Sequence, residues 1–315
     1  MNKVVLFYDS GFEALDFGPG HPMRGDRYPR AMSEFKRQGI LDRLSVREPK
    51  IINDNILTLF HTPGYVESVK DVSAAGKGNL GSEVPGFPGI YEVARLSVSA
   101  TIAGAGILAD DEAEVAVNIC GGWHHAFADR GRGFCIFNDI AVAVRYLQER
   151  EKIKKVMVLD YDAHHGDGTQ RAFYEDPNVF TVSFHQDSHT LYPFLTGFED
   201  ERGSGRGEGF NRNFPLPKGA GDEEFIARFQ EVPGLLRKFQ PEVLILQMGV
   251  DGSRECIIAN LRLTEKSYDY ASRKIIELKG ELDFKLLALG GGGFVHPMLG
   301  KNWGIQIKNF LEKDI

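Results

Sequence analysis

The segment VMVLDYDAHHGDG, residues 156–168, determines the fold class and indicates the chemistry. It begins with four consecutive apolar residues, Val156 to Leu159, and continues with three carboxylates and two imidazoles within eight positions. A strand that is apolar on consecutive residues is typical of a parallel sheet covered by helices on both faces. The polar run that follows is therefore predicted to lie at the carboxyl edge of such a sheet, where ligands bind in α/β proteins.

Other parts of the chain repeat this alternation of strand and helix. Five further strands are predicted at Val4 to Tyr8, Val115 to Ile119, Val179 to Phe184, Val243 to Met248 and Leu286 to Leu289. Helices are predicted at Tyr91 to Leu108, Asp139 to Gln148, Asp222 to Lys238 and Thr264 to Lys279, with Asp139, Asp222 and Thr264 as N-caps. No repeat, low-complexity tract or Ser/Pro linker interrupts the pattern. We therefore predict one α/β domain over residues 1–315, with a mostly parallel sheet and helices on both faces.

Composition excludes several classes of function. Lys and Arg number 37 and Asp and Glu 44, and the resulting net charge of −7 excludes charge-driven binding of nucleic acid. No apolar stretch approaches the ~18 to 20 residues of a membrane helix, and the N-terminus lacks a secretory signature, so we expect a cytoplasmic protein without membrane contact. The cysteines, Cys120, Cys135 and Cys256, form no C-x-x-C pair, which favours reduced thiols. Any metal is then expected to have His and carboxylate ligands.

Three residues after the strands are candidate metal ligands. Asp162 and His164 are two positions apart, so in an extended chain both point to the same side. A catalytic zinc site needs a third protein ligand, and Asp251, after the strand at Val243 to Met248, is the natural candidate. Two carboxylates and one imidazole suit Zn²⁺ or Fe²⁺, and the sequence does not choose between these ions.

Adjacent histidines follow the strand at Val115 to Ile119. The neighbouring loop contains two unassigned aspartates, Asp160 and Asp167. Each can accept an N–H from an imidazole such as His124 or His125 and fix its tautomer. Two His–Asp pairs beside one metal provide the proton donors and acceptors that metal-assisted hydrolysis requires.

These motifs together resemble the histone deacetylase superfamily, over nearly the whole chain. The resemblance is closest to prokaryotic acetoin-utilisation-type deacetylases, and residues 184–188 and 192–195 are also similar to acetylpolyamine deacetylases. It implies an arginase/deacetylase-type fold and hydrolysis of N-acyl amides, typically acetyl-lysine. The residues that carry it are Gly20 to Arg24, Gly122 to Ala126, Phe137 to Asp139, Asp160 to Gly168, Gly249 to Asp251, Asn260 to Thr264 and Gly290 to Gly293.

The resemblance assigns roles by motif. It implies that the zinc ligands are Asp162, His164 and Asp251. It pairs His124 with Asp160 and His125 with Asp167, and it makes His125 the general base and acid. Substrate contacts are implied at Gly133, Phe134, Phe184 and Gly292, with Glu83 as an acid at the rim. A structural K⁺ site is implied at the backbone carbonyls of Asp160, Asp162 and His164 together with Ser183, and Arg27 corresponds to an arginine lining a cavity behind the metal.

One position departs from the family pattern. The glycine run normally ends in a tyrosine that hydrogen-bonds the substrate carbonyl, whereas Phe294 follows Gly293 here. Loss of one such donor typically costs roughly 10²- to 10³-fold in kcat. Three explanations stay open: a weak deacetylase or one for more electrophilic acyl groups, a replacement donor at His296, or a residue introduced to trap substrate.

The leading hypothesis is a zinc-dependent hydrolase that removes acyl groups from lysine side chains of proteins or peptides. Two alternatives are an acetylpolyamine deacetylase and a catalytically silent acyl-lysine-binding protein. A cationic polyamine needs acids at the mouth of the site, and the candidates are Glu83, Glu199, Asp200 and Glu201. Phe294 favours the silent protein, while the intact His–Asp pairs favour the enzyme.

Overall fold

Eight short strands form one sheet in which every neighbouring pair is parallel. The computed structural model describes residues 4–151, 153–294 and 298–312. The strands are Val4–Phe7 (β1), Ser45–Arg47 (β2), Val115–Asn118 (β3), Val156–Asp160 (β4), Val179–Gln186 (β5), Asn211–Leu216 (β6), Val243–Gln247 (β7) and Lys285–Leu289 (β8). Their order across the sheet is β6-β5-β4-β7-β8-β3-β1-β2. The predicted parallel α/β fold is confirmed.

Helices cover both faces of this sheet. They are Arg27–Arg37 (α1), Asp54–Leu57 (α2), Pro63–Ala75 (α3), Ile90–Ala109 (α4), Asp139–Glu149 (α5), Asp167–Phe173 (α6), Asp222–Phe229 (α7), Val232–Phe239 (α8), Glu265–Leu282 (α9) and Leu299–Leu311 (α10). Helix α4 packs with α3 and α5, while α10 packs between α1 and α9. Because both faces are covered, β1, β3 and β7 are buried at every position, which explains their continuous apolar sequences.

Short elements complete the chain between these strands and helices. Three 3₁₀ turns occupy Ser10–Ala14, Leu41–Arg43 and Gly205–Gly207. Two-residue strands also pair near the carboxyl edge: Gly78–Asn79 with Pro85–Gly86, and Gly81–Ser82 with Gly131–Arg132. The second of these pairings brings together two loops that are about 50 residues apart in the chain.

The largest differences between the predicted and observed element boundaries concern one helix and two helix caps. The single helix predicted from Asp222 to Lys238 is wrong, because the chain breaks after Phe229 and restarts at Val232, with Pro233 in the first turn of the second helix. Thr264 is the N-cap of α9 as predicted. The other two predicted caps are wrong by one residue: Asn138 caps α5 and Gly221 precedes α7.

Helix α4 is the one described helix that is long and apolar enough to cross a membrane. In this fold it is a core helix, with 61% of its most apolar 18-residue window buried inside the protein. Its small residues allow close packing on the sheet: a Cβ atom at Gly104 would lie 2.8 Å from the Leu287 side chain. The apolar composition of α4 is therefore explained by burial against β3 and β8.

Candidate active site

The carboxyl ends of adjacent strands bring the predicted polar residues together. Strands β4, β7, β8 and β3 are consecutive in the sheet, and their following loops carry the aspartates, the glycine run and the histidines. Asp162, His164 and Asp251 each place one ligand-type atom within 4.8 Å of the others. We call these three residues the Asp–His–Asp cluster. The predicted convergence at one sheet edge is confirmed.

Each carboxylate of the cluster is held by residues outside the cluster through one oxygen and offers the other to His164. Asp162 Oδ2 accepts a hydrogen bond from Gln247 Nε2 at 2.8 Å, and Asp251 Oδ1 accepts one from the Ala163 N–H at 2.7 Å. The offered oxygens lie 3.2 and 2.8 Å from His164 Nδ1. Ligand atoms about 2.0 Å from a tetrahedral ion lie roughly 3.3 Å apart, so these three atoms fit around one ion.

Charge in the cluster also favours a cation. Burial alone lowers the pKa of His164, but the negative charges of Asp251 and Asp162 outweigh it and raise that pKa to about 10. Burial, followed by the charge of Asp162, raises the pKa of Asp251 to about 6. A buried group of two carboxylates and one imidazole thus stabilises positive charge at its centre, as a divalent metal ion requires.

Gly292 lies against the cluster and has no room for a side chain. Its N–H donates to Asp162 Oδ2 at 2.7 Å, and a Cβ atom would lie 2.6 Å from that oxygen and from Asp251 Oδ2. Only glycine lets the backbone approach both carboxylates. The structure thus places Gly292 at the floor of the site, beside the candidate ligands.

The first His–Asp pair is fully enclosed. His124 Nδ1 donates to Asp160 Oδ2 at 2.6 Å, and the other oxygen, Oδ1, accepts from the Asp162 N–H at 3.0 Å. Burial lowers the pKa of His124, but the negative charges of Asp160 and Asp162 outweigh burial and raise it to about 9. His124 is consequently the protonated member of the histidine pair.

The second pair carries an additional cation. His125 Nδ1 donates to Asp167 Oδ1 at 2.7 Å, while Asp167 Oδ2 accepts from Arg132 Nε at 3.0 Å and forms an ion pair with Arg132 Nη2 at 2.9 Å. Burial and the positive charge of His124, whose Nε2 lies 3.0 Å from His125 Nε2, lower the pKa of His125 to about 4. His125 is therefore neutral and able to accept a proton.

The loop before the histidines is anchored by residues whose role the sequence did not reveal. The buried Asp139 carboxylate accepts hydrogen bonds from the Trp123 N–H at 2.7 Å, the Gly122 N–H at 3.0 Å and Thr101 Oγ1 at 2.6 Å. Its neighbour Asn138 donates through Nδ2 to the Ala126 carbonyl at 3.1 Å. Their signal in the sequence was the Phe137 to Asp139 motif, which carried the resemblance but no assigned role.

An apolar channel of about 330 Å³ leads from the surface to this floor. The walls include two residues predicted to contact substrate, Gly133 and Phe134. Sequence reasoning missed most of the other wall residues, because only the fold brings their loops together. These wall residues are Met23, Leu191, Tyr192, Phe194 and Ile258.

Gly133 and Phe134 form a tight turn that Arg132 anchors. Both have left-handed backbones, with φ of +50° and +66°, and the Cys135 N–H donates to the Arg132 carbonyl at 2.8 Å. A Cβ atom at Gly133 would lie 2.5 Å from the His125 ring. The wall turn and the second His–Asp pair are thus one connected unit.

The assignment of Phe184 to the channel is wrong. Phe184 is 1% exposed in β5, and its ring stacks on Phe214 with centroids 4.4 Å apart. Phe225 and Phe229 of α7 enclose it further, at 5.6 and 5.4 Å. Alternation along the strand turns this ring into the core, away from the carboxyl edge. The wall aromatics in this region are instead Tyr192 and Phe194.

Of the four acids considered at the mouth, only Glu83 lines the channel. The backbone at Glu83 is left-handed, with φ of +61°. Glu201 is turned inward, where its carboxylate accepts from the Gly197 N–H at 2.7 Å. Glu199 is paired with Arg228 at 3.3 Å. Asp200, also expected near the mouth, is not part of the lining.

Phe294 lines the channel, as expected for the position at which the family normally has a tyrosine. It is 6% exposed, and its ring meets the Phe134 ring edge-on with centroids 5.7 Å apart. No hydroxyl is available at this position. His296, considered as a replacement donor, lies outside the described residues.

Two further residues implied by the resemblance lie close to the floor. Arg27 is 4% exposed, and its Nη2 donates to the Gly291 carbonyl at 2.7 Å behind the glycine run. Ser183 is the register partner of Asp160 between β5 and β4. Its hydroxyl lies 2.8 Å from His185 Nδ1.

Sequence comparisons agree with this geometry. Residues 21–310 match the family model of the histone deacetylase domain. The chain is 33% identical over 305 residues to the acetoin utilization protein AcuC of Bacillus subtilis, covering 93% of this chain and 78% of that protein.

Eukaryotic relatives match over a similar region. Histone deacetylase 1 of Homo sapiens is 30% identical over 323 residues, and histone deacetylase 6 of Arabidopsis thaliana is 30% identical over 313 residues. These alignments cover 99% and 96% of this chain and 65% of each relative. The family match spans seven of the eight strands of the sheet and all four loops of the site, and the chain belongs to the histone deacetylase family.

Proposed function

We propose that this protein is a zinc-dependent deacylase that removes acyl groups, of the acetyl type, from lysine side chains of peptides or proteins. The observation that carries the proposal is the placement of the Asp–His–Asp cluster and two His–Asp pairs at the end of a narrow apolar channel. The methylene chain of an acylated lysine matches such a channel, since it is long, apolar and uncharged once acylated.

The chain supplies the groups that the hydrolysis of an amide needs. A Zn²⁺ ion held by Asp162, His164 and Asp251 would acidify water and polarise the acyl carbonyl. His125, neutral and oriented by Asp167, accepts the proton of the attacking water and returns it to the amine that leaves. His124, protonated and held by Asp160, stabilises the negative charge that develops beside it.

Phe294 limits this mechanism on ordinary acetyl groups. With no hydroxyl at this position, one donor to the substrate carbonyl is missing, and a carbonyl with electron-withdrawing substituents depends less on it. We therefore propose weak turnover of acetyl-lysine and faster turnover of trifluoroacetyl-lysine. A catalytically silent acyl-lysine-binding protein is the alternative, although both His–Asp pairs are intact.

The channel favours lysine peptides over polyamines. A polyamine is cationic along its length and binds acids at the mouth, yet Glu83 is the only one of four candidate acids in the lining. An acylated polyamine remains the runner-up substrate. We further propose a cytoplasmic location, no direct binding of nucleic acid, a K⁺ ion at the carbonyls of Asp160, Asp162 and His164 with Ser183, and Fe²⁺ as the alternative to Zn²⁺.

The test compares acetyl-lysine and trifluoroacetyl-lysine peptides, with metal-loaded parent protein and a Phe294→Tyr variant. We expect the parent to hydrolyse the trifluoroacetyl peptide, and the variant to gain roughly 10²-fold or more in kcat on the acetyl peptide. Asp251→Ala, which removes a candidate ligand, is the inactive control. If parent and variant bind metal but hydrolyse neither peptide, the deacylase proposal fails and the silent binding protein takes its place.

A further inference from the structure

Backbone strain is concentrated at the mouth of the channel. Among the described residues, six that are not glycine have a left-handed backbone. Gln240, Asp283 and Asp111 lie at or just beyond the carboxyl ends of helices, where this conformation is common. Glu83, Phe134 and Phe194 all line the channel. A bulky residue held this way is strained, and such residues cluster at ligand sites.

Exposed apolar side chains occupy the same place. Five large hydrophobic side chains of the described residues are exposed, and three lie in two loops that contribute to the channel lining: Phe194 at 55%, Leu195 at 78% and Ile257 at 73%. Phe194 lines the channel itself, Leu195 follows it, and Ile257 precedes the lining residue Ile258. We call Phe194, Leu195 and Ile257 the apolar rim. Exposed apolar groups gathered at one opening indicate a binding surface.

Two loops carry the apolar rim, and one side chain ties them together. Gln186, the last residue of β5, donates through Nε2 to Thr190 Oγ1 at 2.9 Å in the loop that leads to Phe194. Its Oε1 accepts from the Asn260 N–H at 2.8 Å in the loop that carries Ile257. Gln186 is fully buried, so both loops are tied to one fixed position at the sheet edge.

We propose that the apolar rim binds apolar side chains directly beside the acylated lysine of a peptide substrate, and so selects the substrate sequence. This inference rests on the proposed function. A lysine side chain that fills the channel leaves its own backbone and its neighbouring residues over the mouth. The described lining contains no Lys or Arg to attract acidic neighbours. Glu83, the acid in the channel lining, disfavours acidic residues beside the acylated lysine by like-charge repulsion.

The test uses acetyl-lysine or trifluoroacetyl-lysine peptides that differ only in the two residues beside the lysine, with Leu, Ser or Asp at both positions. We expect the KM of the Leu peptide to be at least five-fold below that of the Ser peptide, and the Asp peptide to have the highest KM. A Leu195→Ser, Ile257→Ser double variant should remove the preference. Val46→Ser and Ile51→Ser, which change exposed apolar residues outside the channel lining, should keep it.

Binding is measured separately from turnover, by fluorescence anisotropy of labelled peptides on the metal-loaded parent. If no peptide is hydrolysed but the Leu peptide binds at least five-fold more tightly than the Ser peptide, the deacylase proposal fails while the proposed role of the apolar rim is supported. If peptides are hydrolysed with KM values within two-fold of each other, the apolar rim does not select sequence. The inference is also overturned if the double variant changes only the oligomeric state by sedimentation, because the occupant is then a second copy of the chain.

Discussion

The two His–Asp pairs differ in what touches the aspartate and in the protonation state of the histidine. Asp160 is bound by His124 and by a backbone N–H, whereas Asp167 is bound by His125 and by the guanidinium of Arg132. The pKa of His124 is raised to about 9 and that of His125 is lowered to about 4. Adjacent histidines with the same kind of partner can therefore serve opposite roles, because burial and neighbouring charges set which one carries the proton.

The largest effect is expected from removing each histidine in turn. His125→Ala should lower kcat about 10³-fold, since it removes the neutral base. His124→Ala should lower kcat less, roughly 10- to 10²-fold. The positive charge of His124 stabilises the negative charge that develops in the reaction, whereas His125 transfers the proton. Single-turnover kinetics on trifluoroacetyl-lysine peptide would measure both. A larger loss for His124→Ala would reverse the assignment of roles.

A second test concerns His61, a buried histidine that contacts Asn138. His61 Nε2 accepts from the Asn138 N–H at 2.9 Å, and its Nδ1 lies 3.3 Å from the Ala128 carbonyl. Burial lowers the pKa of His61 to about 3, so folding favours the neutral ring. The stability that depends on the neutral ring is full above pH 6.5 and declines as pH falls toward 3, by about 1.4 kcal/mol per pH unit.

The variant His61→Gln should therefore be destabilised by about 2 kcal/mol at pH 7.5 and by less at pH 5, where the parent also loses stability. Urea unfolding of metal-free protein at both pH values gives the comparison. His189→Gln, at an exposed histidine, is the matched control and should behave as the parent. A destabilisation that stays constant between the two pH values would contradict the assignment of a neutral ring.

The cation in the second pair can be tested directly. Arg132→Gln leaves Asp167 without its ion pair, and we expect kcat to fall about 10-fold with KM nearly unchanged, because the base loses its fixed orientation. Arg132→Lys should restore part of kcat, since it keeps the charge but not the two-pronged contact. Arg130→Gln is the matched control, because Arg130 and Arg132 both lie over the Phe127 ring at 4.8 Å, whereas Arg130 pairs with Asp129. Equal kcat for parent and Arg132→Gln would show that Arg132 does not position the base.

The smallest effect is expected at Phe184, which the structure places in the core and not in the channel. Phe184→Leu should cost about 1–1.5 kcal/mol of stability through lost packing with Phe214, and leave KM and kcat unchanged. Phe194→Leu at the channel mouth should do the opposite, raising KM with little loss of stability. Thermal unfolding and steady-state kinetics on both variants separate the two positions. A raised KM for Phe184→Leu would indicate that Phe184 contacts the substrate after all.

Much of the fold and of the site floor was predictable because the determining signals are local. Consecutive apolar residues mark buried parallel strands, and the carboxyl ends of such strands meet at one edge, so Asp162, His164 and Asp251 were expected to converge. Edge strands escaped this reasoning. Strand β2 has only three residues, two of them exposed, and β6 contains Pro215 and polar residues, so neither has an apolar run.

Sequence alone determined the six inner strands of the sheet, the histidine pair and the identity of the candidate ligands, since each depends on residues adjacent in the chain or at the end of a strand. Only the tertiary structure decided that Arg132 binds Asp167, that Phe184 faces the core, and that Phe194 and Ile258 line one channel. These facts depend on side-chain direction and on contacts between loops far apart in the chain. Local pattern carries no information about either, because packing fixes them after the strands have assembled.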